Sequence, residues 1–195
     1  EARRPAGPES DAAAIARRER GEDGGKGTLI IIPAHNEEEN IGFVLDALSS
    51  LSLGHDVLVV NDASTDATDA VLQGRGQRSL RLSGNLGYGG AVQTGFKYAL
   101  RHGYDFVVQM DGDCQHDPRS IPKLLEEVQS GRADVALGSR FRGELRYTVP
   151  LFRRWGIALF RAVVGSLTGL PITDPTSGFQ AMNRKVLAFF AGDNY

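Results

Sequence analysis

The chain has 195 residues, 41% of them hydrophobic and 24% charged, with a formal net charge of −2. That length suits one domain with a sizeable core, and the nearly balanced charge lacks the basic excess expected of a nucleic-acid binder. A single cysteine, Cys114, excludes an internal disulfide and a cysteine-based zinc cluster, and fits a reducing compartment.

Residues 1–27 mix Arg, Glu, Ala, Gly and Pro with almost no large apolar side chains, so they read as a flexible leader to a domain spanning 28–195. From Thr28 a β–α alternation begins. "TLIIIP" is an apolar, β-branched run closed by proline, and "NEEENIGFVLDALSSL" predicts a helix with acids in its first turn and apolar residues at Ile41, Val44, Leu45 and Leu48. "DVLVVN" predicts a second strand, "DASTDATDAVLQ" a capped helix and "LRLS" a weak strand. "GNLGYGG" is a glycine-rich turn into the amphipathic "AVQTGFKYALRHG". "DFVVQM" predicts a strand, "DPRSIPKLLEEVQSG" a helix begun near proline, and "DVALGS" a further strand. Near-continuous apolar strands alternating with helices predict an α/β fold, with a mostly parallel sheet covered on both faces. No internal repeat is visible.

Beyond Phe141 the alternation breaks, which divides the domain into a part of about 28–139 and a segment of about 140–195. Residues 140–161 carry Arg140, Arg142, Arg146, Arg153, Arg154 and Arg161 against one acid, Glu144. Arginine forks suit phosphate, and the neighbouring Phe141, Tyr147, Phe152, Trp155 and Phe160 suit an acyl chain or a membrane interface; a solvated basic face on a core helix is the plainer alternative. "LPITDPTSGFQAMNRKVLAFF" reads as a loop plus a helix. No signal sequence is visible and no apolar run reaches the ~18–20 residues that span a bilayer. The expected location is cytoplasmic, with any membrane contact peripheral.

Ligands of parallel α/β sheets sit outside the carboxyl ends of the strands. Four strand ends here carry polar groups: "PAHNE", "NDASTD", "DGDCQH" and "GSRFR". In the third, Asp111 and Asp113 flank Gly112, which permits close approach of a ligand to the backbone, and two carboxylates so near repel unless a cation or donor compensates them. Hard oxygen ligands of this kind suit Mg²⁺ or Mn²⁺ shared with substrate phosphates, and Gln115 can add a neutral carbonyl oxygen. A plain Asp-Gly turn is the alternative. "GNLGYGGAVQTG" lacks the Lys-Ser/Thr of a P-loop and the spacing of a dinucleotide fingerprint, so a tight strand-to-helix turn is its simpler reading. His35, His55, His102 and His116 show no metal-ligand spacing among themselves.

Taken jointly, "IIIPAHNEEENI", "VVNDASTD", "NLGYGGAVQTGF", "VVQMDGDCQHDPRSIPKLL", "DVALGSRF" and "DPTSGFQAMNR" resemble the family 2 glycosyltransferases, in particular the branch of dolichol-phosphate mannose synthases and bacterial polyprenyl-phosphate glycosyltransferases. The resemblance runs from about Thr28 to Arg184. It implies a GT-A fold, a Rossmann-like mixed sheet, a GDP- or UDP-linked nucleoside-diphosphate sugar donor and inversion at the anomeric carbon. It also implies that Pro33, His35 and Glu37 line the base and ribose, that Asp62 holds the base, and that Asp111, Asp113 and Gln115, around Gly112, hold the metal and diphosphate. Arg140, with Arg153 or Arg154, is implied at an acceptor phosphate. His35 stands where tyrosine is common, Asn61 where a second Asp is usual, and Ala63 where Gly is usual.

The chemistry expected is transfer of a hexose to a polyprenyl phosphate at the membrane surface, with Asp113 and Arg140 at the reacting centre. A lipid phosphate is already anionic and needs no general base. A hydroxyl acceptor needs one, and Asp174 is the nearest candidate. The rival readings are a glycosyltransferase acting on a hydroxyl acceptor, a nucleotidyltransferase, an aspartyl phosphatase, whose D-x-D belongs to a first strand, and a non-catalytic nucleotide-binding scaffold. Oligomeric state is not legible.

Overall fold

The structure, a computed structural model, describes residues 26–138 and 177–192. Within them the elements run β1 (Thr28–Ala34), α1 (Ile41–Ser50), β2 (Asp56–Asn61), α2 (Thr68–Gly74), β3 (Ser79–Arg81), α3 (Gly87–Arg101), β4 (Phe106–Gln109), a 3-10 turn (Pro118–Ser120), α4 (Ile121–Gln129), β5 (Val135–Leu137), β6 (Gln180–Asn183) and α5 (Arg184–Ala191). The six strands form one sheet in the order β3-β2-β1-β4-β6-β5. β1 to β4 are mutually parallel, and β6 runs antiparallel to both β4 and β5.

All seven residues of β1 are buried, as the unbroken apolar run requires of a central strand covered on both faces. Its side chains alternate between two cores, as the period of two dictates. Ile30, Ile32 and Ala34 pack with Ile41, Val44 and Leu48 of α1, Leu72 of α2 and Leu125 of α4. Leu29 and Ile31 pack with Val92 and Phe96 of α3 and Leu187 of α5. Gly95 lets α3 close on the sheet, because a Cβ there would stand 2.5 Å from Ile31 Cγ2.

Two sequence expectations are corrected. "TSGFQAMN" is more than a loop, since Gln180–Asn183 forms β6, wedged between β4 and β5. This strand has no β-branched residue, and its pairing is with segments far away in the chain, so local pattern does not announce it. The acids of "NEEEN" do not lie in the first turn of α1, which starts at Ile41. Glu38 serves the neighbouring loop instead, its Oε2 accepting the Ala67 N–H at 2.7 Å, and Glu37 stays local, accepting from the side-chain amide of Asn40, the residue before α1, at 2.9 Å.

The order of the strands positions the site. From β1 the chain steps outward to β2 and β3, then returns to β4 on the other side of β1, so the direction of winding reverses between β1 and β4. The β1–β4 pairing ends at Ile31 and Gln109. Beyond it the two strand ends diverge, Pro33 and Ala34 on one side and Asp111 to Asp113 on the other.

Candidate active site

A cleft of about 400 Å³ opens where β1 and β4 part. It is lined by Pro33, His35 and Glu37 after β1, Asp62 after β2, and Asp111, Gly112 and Asp113 after β4, so three of the four polar strand ends converge as expected. Asn85 and Tyr88 line it as well. Gly138 begins the fourth, but Arg140, like Arg153, Arg154 and Asp174, lies outside the described residues.

On the β1–β2 side the loops are cross-linked by side chains. His35 Nδ1 lies 2.7 Å from the Asp62 carbonyl oxygen, which can only accept, so Nδ1 donates there. The Asn85 and Asn36 amides face Nε2 at 3.2 and 3.3 Å. Asp62, only 2% exposed, accepts the Leu86 N–H through Oδ1 at 2.7 Å and so ties the entry of α3 to the end of β2. Asn61, the residue before it, uses its side chain inside the loop, accepting the Ser64 N–H and donating to Asp69.

On the β4 side, Asp111 is partly buried and held by its neighbours. Tyr88 donates its hydroxyl to Asp111 Oδ1 at 2.7 Å, and His116 Nε2 lies 3.5 Å from Oδ2. His116 is buried and rests on the Phe179 ring, with centroids 5.0 Å apart. Asp113 accepts the Gln115 N–H at 3.0 Å. The Gln115 side chain is not among those lining the cleft.

The backbone here is strained, though not at the glycine the sequence singles out. Gly112 does not have a positive φ, and a Cβ on it would make ordinary contacts with Ile32, Pro33 and Ile41. Among the described non-glycine residues, Asn36, Ser52, Ala63 and Cys114 have φ of 56, 47, 51 and 61°. Three of these four, Asn36, Ala63 and Cys114, sit in the loops after β1, β2 and β4 that line the cleft, where such strain tends to be retained for function. The Cys114 thiol is pushed up by burial and by the Asp113 and Glu37 carboxylates, so it is protonated at neutral pH and no nucleophile.

Sequence reasoning missed Tyr88, Asn85 and His116 as parts of the site, and Gln109 and Gln180 behind it. One signal was available: Gln109 is a lone amide in an apolar strand, and it is 3% exposed. A buried amide needs partners.

Residues 29–190 match the family described as glycosyl transferase family 2. The undecaprenyl-phosphate mannosyltransferase of Micrococcus luteus is 36% identical over 168 residues, covering 82% of this chain and 67% of that protein. The polyprenol monophosphomannose synthase of Mycolicibacterium smegmatis is 33% identical, covering 82% of this chain and 63% of that protein. The dolichol-phosphate mannosyltransferase of Pyrococcus furiosus is 34% identical, over 81% and 46%. The chain therefore spans roughly half to two thirds of the length of these curated relatives. In fold, it matches the crystal structure of glucosyl-3-phosphoglycerate synthase from Mycobacterium tuberculosis in complex with Mn²⁺, UDP and phosphoglyceric acid, with a TM-score of 0.64, 22% identity and coverage of 94% of this chain and 62% of that one. Among the described residues no helix is long and apolar enough to cross a membrane.

Proposed function

Since this chain belongs to glycosyl transferase family 2, we propose that it transfers a hexose from a GDP- or UDP-linked sugar to a polyprenyl phosphate, with inversion and with a divalent cation, at the cytosolic surface of a membrane. The observation that carries the reading is the convergence of Asp111 and Asp113 with His35, Glu37 and Asp62 on one cleft at the point where the sheet reverses its winding. The names of the relatives supply the acceptor class.

The donor set fits the metal. Two carboxylates on one wall of an open cleft are hard oxygen ligands suited to Mg²⁺ or Mn²⁺, which keep positions open for substrate phosphate oxygens. Asp111 and Asp113 would hold the ion, and when bound it would offset the negative charge that develops on the departing diphosphate. The rest is positioning. Pro33, His35 and Glu37 wall the nucleoside end. Asp62 has one oxygen committed to Leu86, and its other oxygen is the one to accept an N–H from the base. The polyprenyl phosphate attacks the anomeric carbon from the side opposite the diphosphate. Its oxygen forms the new C–O bond as the bond to the diphosphate breaks, and no proton has to be removed.

The test is a panel of GDP- and UDP-hexoses with Mn²⁺ or Mg²⁺ and a short-chain polyprenyl phosphate, read by mass spectrometry of the lipid product. A glycolipid from one donor supports the reading. Glycosylation of an alcohol acceptor with none of the phosphate overturns the acceptor assignment, and release of pyrophosphate in place of a nucleoside diphosphate overturns the reaction class.

A further inference from the structure

Behind the cleft wall runs a chain of hydrogen bonds that the transfer reaction, as described so far, does not use. Gln109 and Gln180 are register partners across the β4–β6 pair. The Gln180 amide donates to Gln109 Oε1 at 2.9 Å, the Gln109 amide donates to the Tyr88 hydroxyl at 2.7 Å, and that hydroxyl donates to Asp111 Oδ1 at 2.7 Å. The carboxylate fixes the polarity. An ionised carboxylate only accepts, so Tyr88 must donate its one proton to Asp111, its oxygen must accept from Gln109, and Gln109 must in turn turn its carbonyl to Gln180. Reversing any one link would set two donors or two acceptors face to face.

We propose that Tyr88, oriented by Gln109 and Gln180, is a positioning residue that fixes the Asp111 carboxylate in the orientation in which it takes a divalent cation; this rests on the metal-site reading above. Among the described residues, the Tyr88 hydroxyl on Oδ1 and His116 beside Oδ2 bear on that orientation, and Gly178 leaves room for both oxygens, since a Cβ on it would stand 2.7 Å from each. Asp113, by contrast, is braced by its own loop through the Gln115 N–H. The two carboxylates thus have different tasks. Asp111 is the fixed ligand, set by a strand arriving from the far end of the chain, and Asp113 is the adaptable one. A preset ligand spares the ion the cost of ordering it, and side chains that orient a metal ligand typically govern about 10- to 100-fold in metal affinity.

The experiment is Mn²⁺ binding followed by the electron paramagnetic resonance signal of the free ion, alone and with UDP or GDP, on the wild type, Tyr88→Phe and Gln180→Met, each with its thermal midpoint. Tyr88→Phe keeps the ring and removes the hydroxyl. It is expected to weaken Mn²⁺ binding about 10- to 100-fold with a near-unchanged midpoint, and Gln180→Met to weaken it less but in the same direction. Wild-type Mn²⁺ affinity in folded Tyr88→Phe overturns the relay and leaves the metal site standing. Should Tyr88→Phe not fold, unaltered binding in Gln180→Met overturns it equally. A wild type that holds no Mn²⁺ under any of these conditions overturns the metal site and the relay with it.

Discussion

Gly178 lies against the carboxylate of Asp111, so closely that a Cβ on residue 178 would stand 2.7 Å from both carboxylate oxygens. No side chain fits there while Asp111 and the Tyr88 hydroxyl, which the same Cβ would meet still more closely, keep their places. Gly178→Ala is therefore expected to push the carboxylate out of line and lower turnover about 10- to 100-fold, the range typical when the support of a metal ligand is lost. The half-saturating Mn²⁺ concentration should rise in parallel. Unchanged metal dependence would mean that the loop gives way instead.

Asp113→Asn preserves shape and removes one charge from the proposed metal site. Turnover with every nucleotide sugar should fall at least about 100-fold, because a bound cation supplies several kcal/mol of charge stabilisation and each factor of ten corresponds to about 1.4 kcal/mol. Steady-state rates across a Mn²⁺ titration check this. A variant as active as the wild type would remove Asp113 from the site.

Ala63 holds φ at 51°, a region in which a Cβ is strained and glycine is not. Ala63→Gly should stabilise the fold by about 0.5–1 kcal/mol despite the greater freedom of glycine in the unfolded chain. Urea unfolding reads the difference. A loss of stability would show that the loop pays no strain at this position.

Gly95 and Gly74 are both helical, and their surroundings predict opposite outcomes. A Cβ at 95 meets Ile31 at 2.5 Å and Val60 at 3.4 Å, whereas one at 74 meets nothing within 4 Å. Gly95→Ala should cost about 1–2 kcal/mol through overpacking, and Gly74→Ala should be neutral or stabilise by up to about 1 kcal/mol through helix propensity. Equal midpoints for the two variants would contradict the packing of α3 on β1.

Burial holds His55 below the usual imidazole range, since desolvation disfavours its charged form. The unfolded chain takes up this proton near pH 6.5, the folded chain only at lower pH. Between the two values the unfolded state binds more protons, so the His55 contribution is fully present above about pH 6.5 and is lost as the pH falls toward the lowered value. His55→Gln should flatten the decline in urea midpoint between about pH 7 and 5. Parallel curves for variant and wild type would sink this assignment.

The parts of the fold legible in the sequence are those whose cause is local. β1, β2 and β4 announce themselves because strands buried on both faces must be apolar throughout, and the loops after them stand out because polar residues at the tips of such strands have few other reasons to be there. What escaped notice depends on partners distant in the chain. β6 is four residues whose strand character comes from lying between β4 and β5. Tyr88 belongs to a glycine-rich stretch that the sequence reads as a turn and the structure as the first turn of α3, and nothing nearby points to Asp111, 23 residues on, or to the pairing of Gln109 with Gln180, 71 residues apart. Residue types revealed the carboxylates, whereas what holds Asp111 in place required the fold.

The non-sequential order of the strands also sets a schedule. β4 leads into the two carboxylates, yet one of its edges is closed only by β6, and among the described residues β5 has no sheet partner except β6. On a chain that emerges from its amino end, β1 to β4 have every neighbour but this one long before residue 180 is made. Until then an unpaired edge stays open beside the loop of Asp111 and Asp113, the kind of edge that recruits other chains. Both the cover of that edge and the contacts proposed to brace Asp111 come from the same few residues, so a chain stopped before residue 177 would keep the open edge and lack the Gly178 and Gln180 contacts at once.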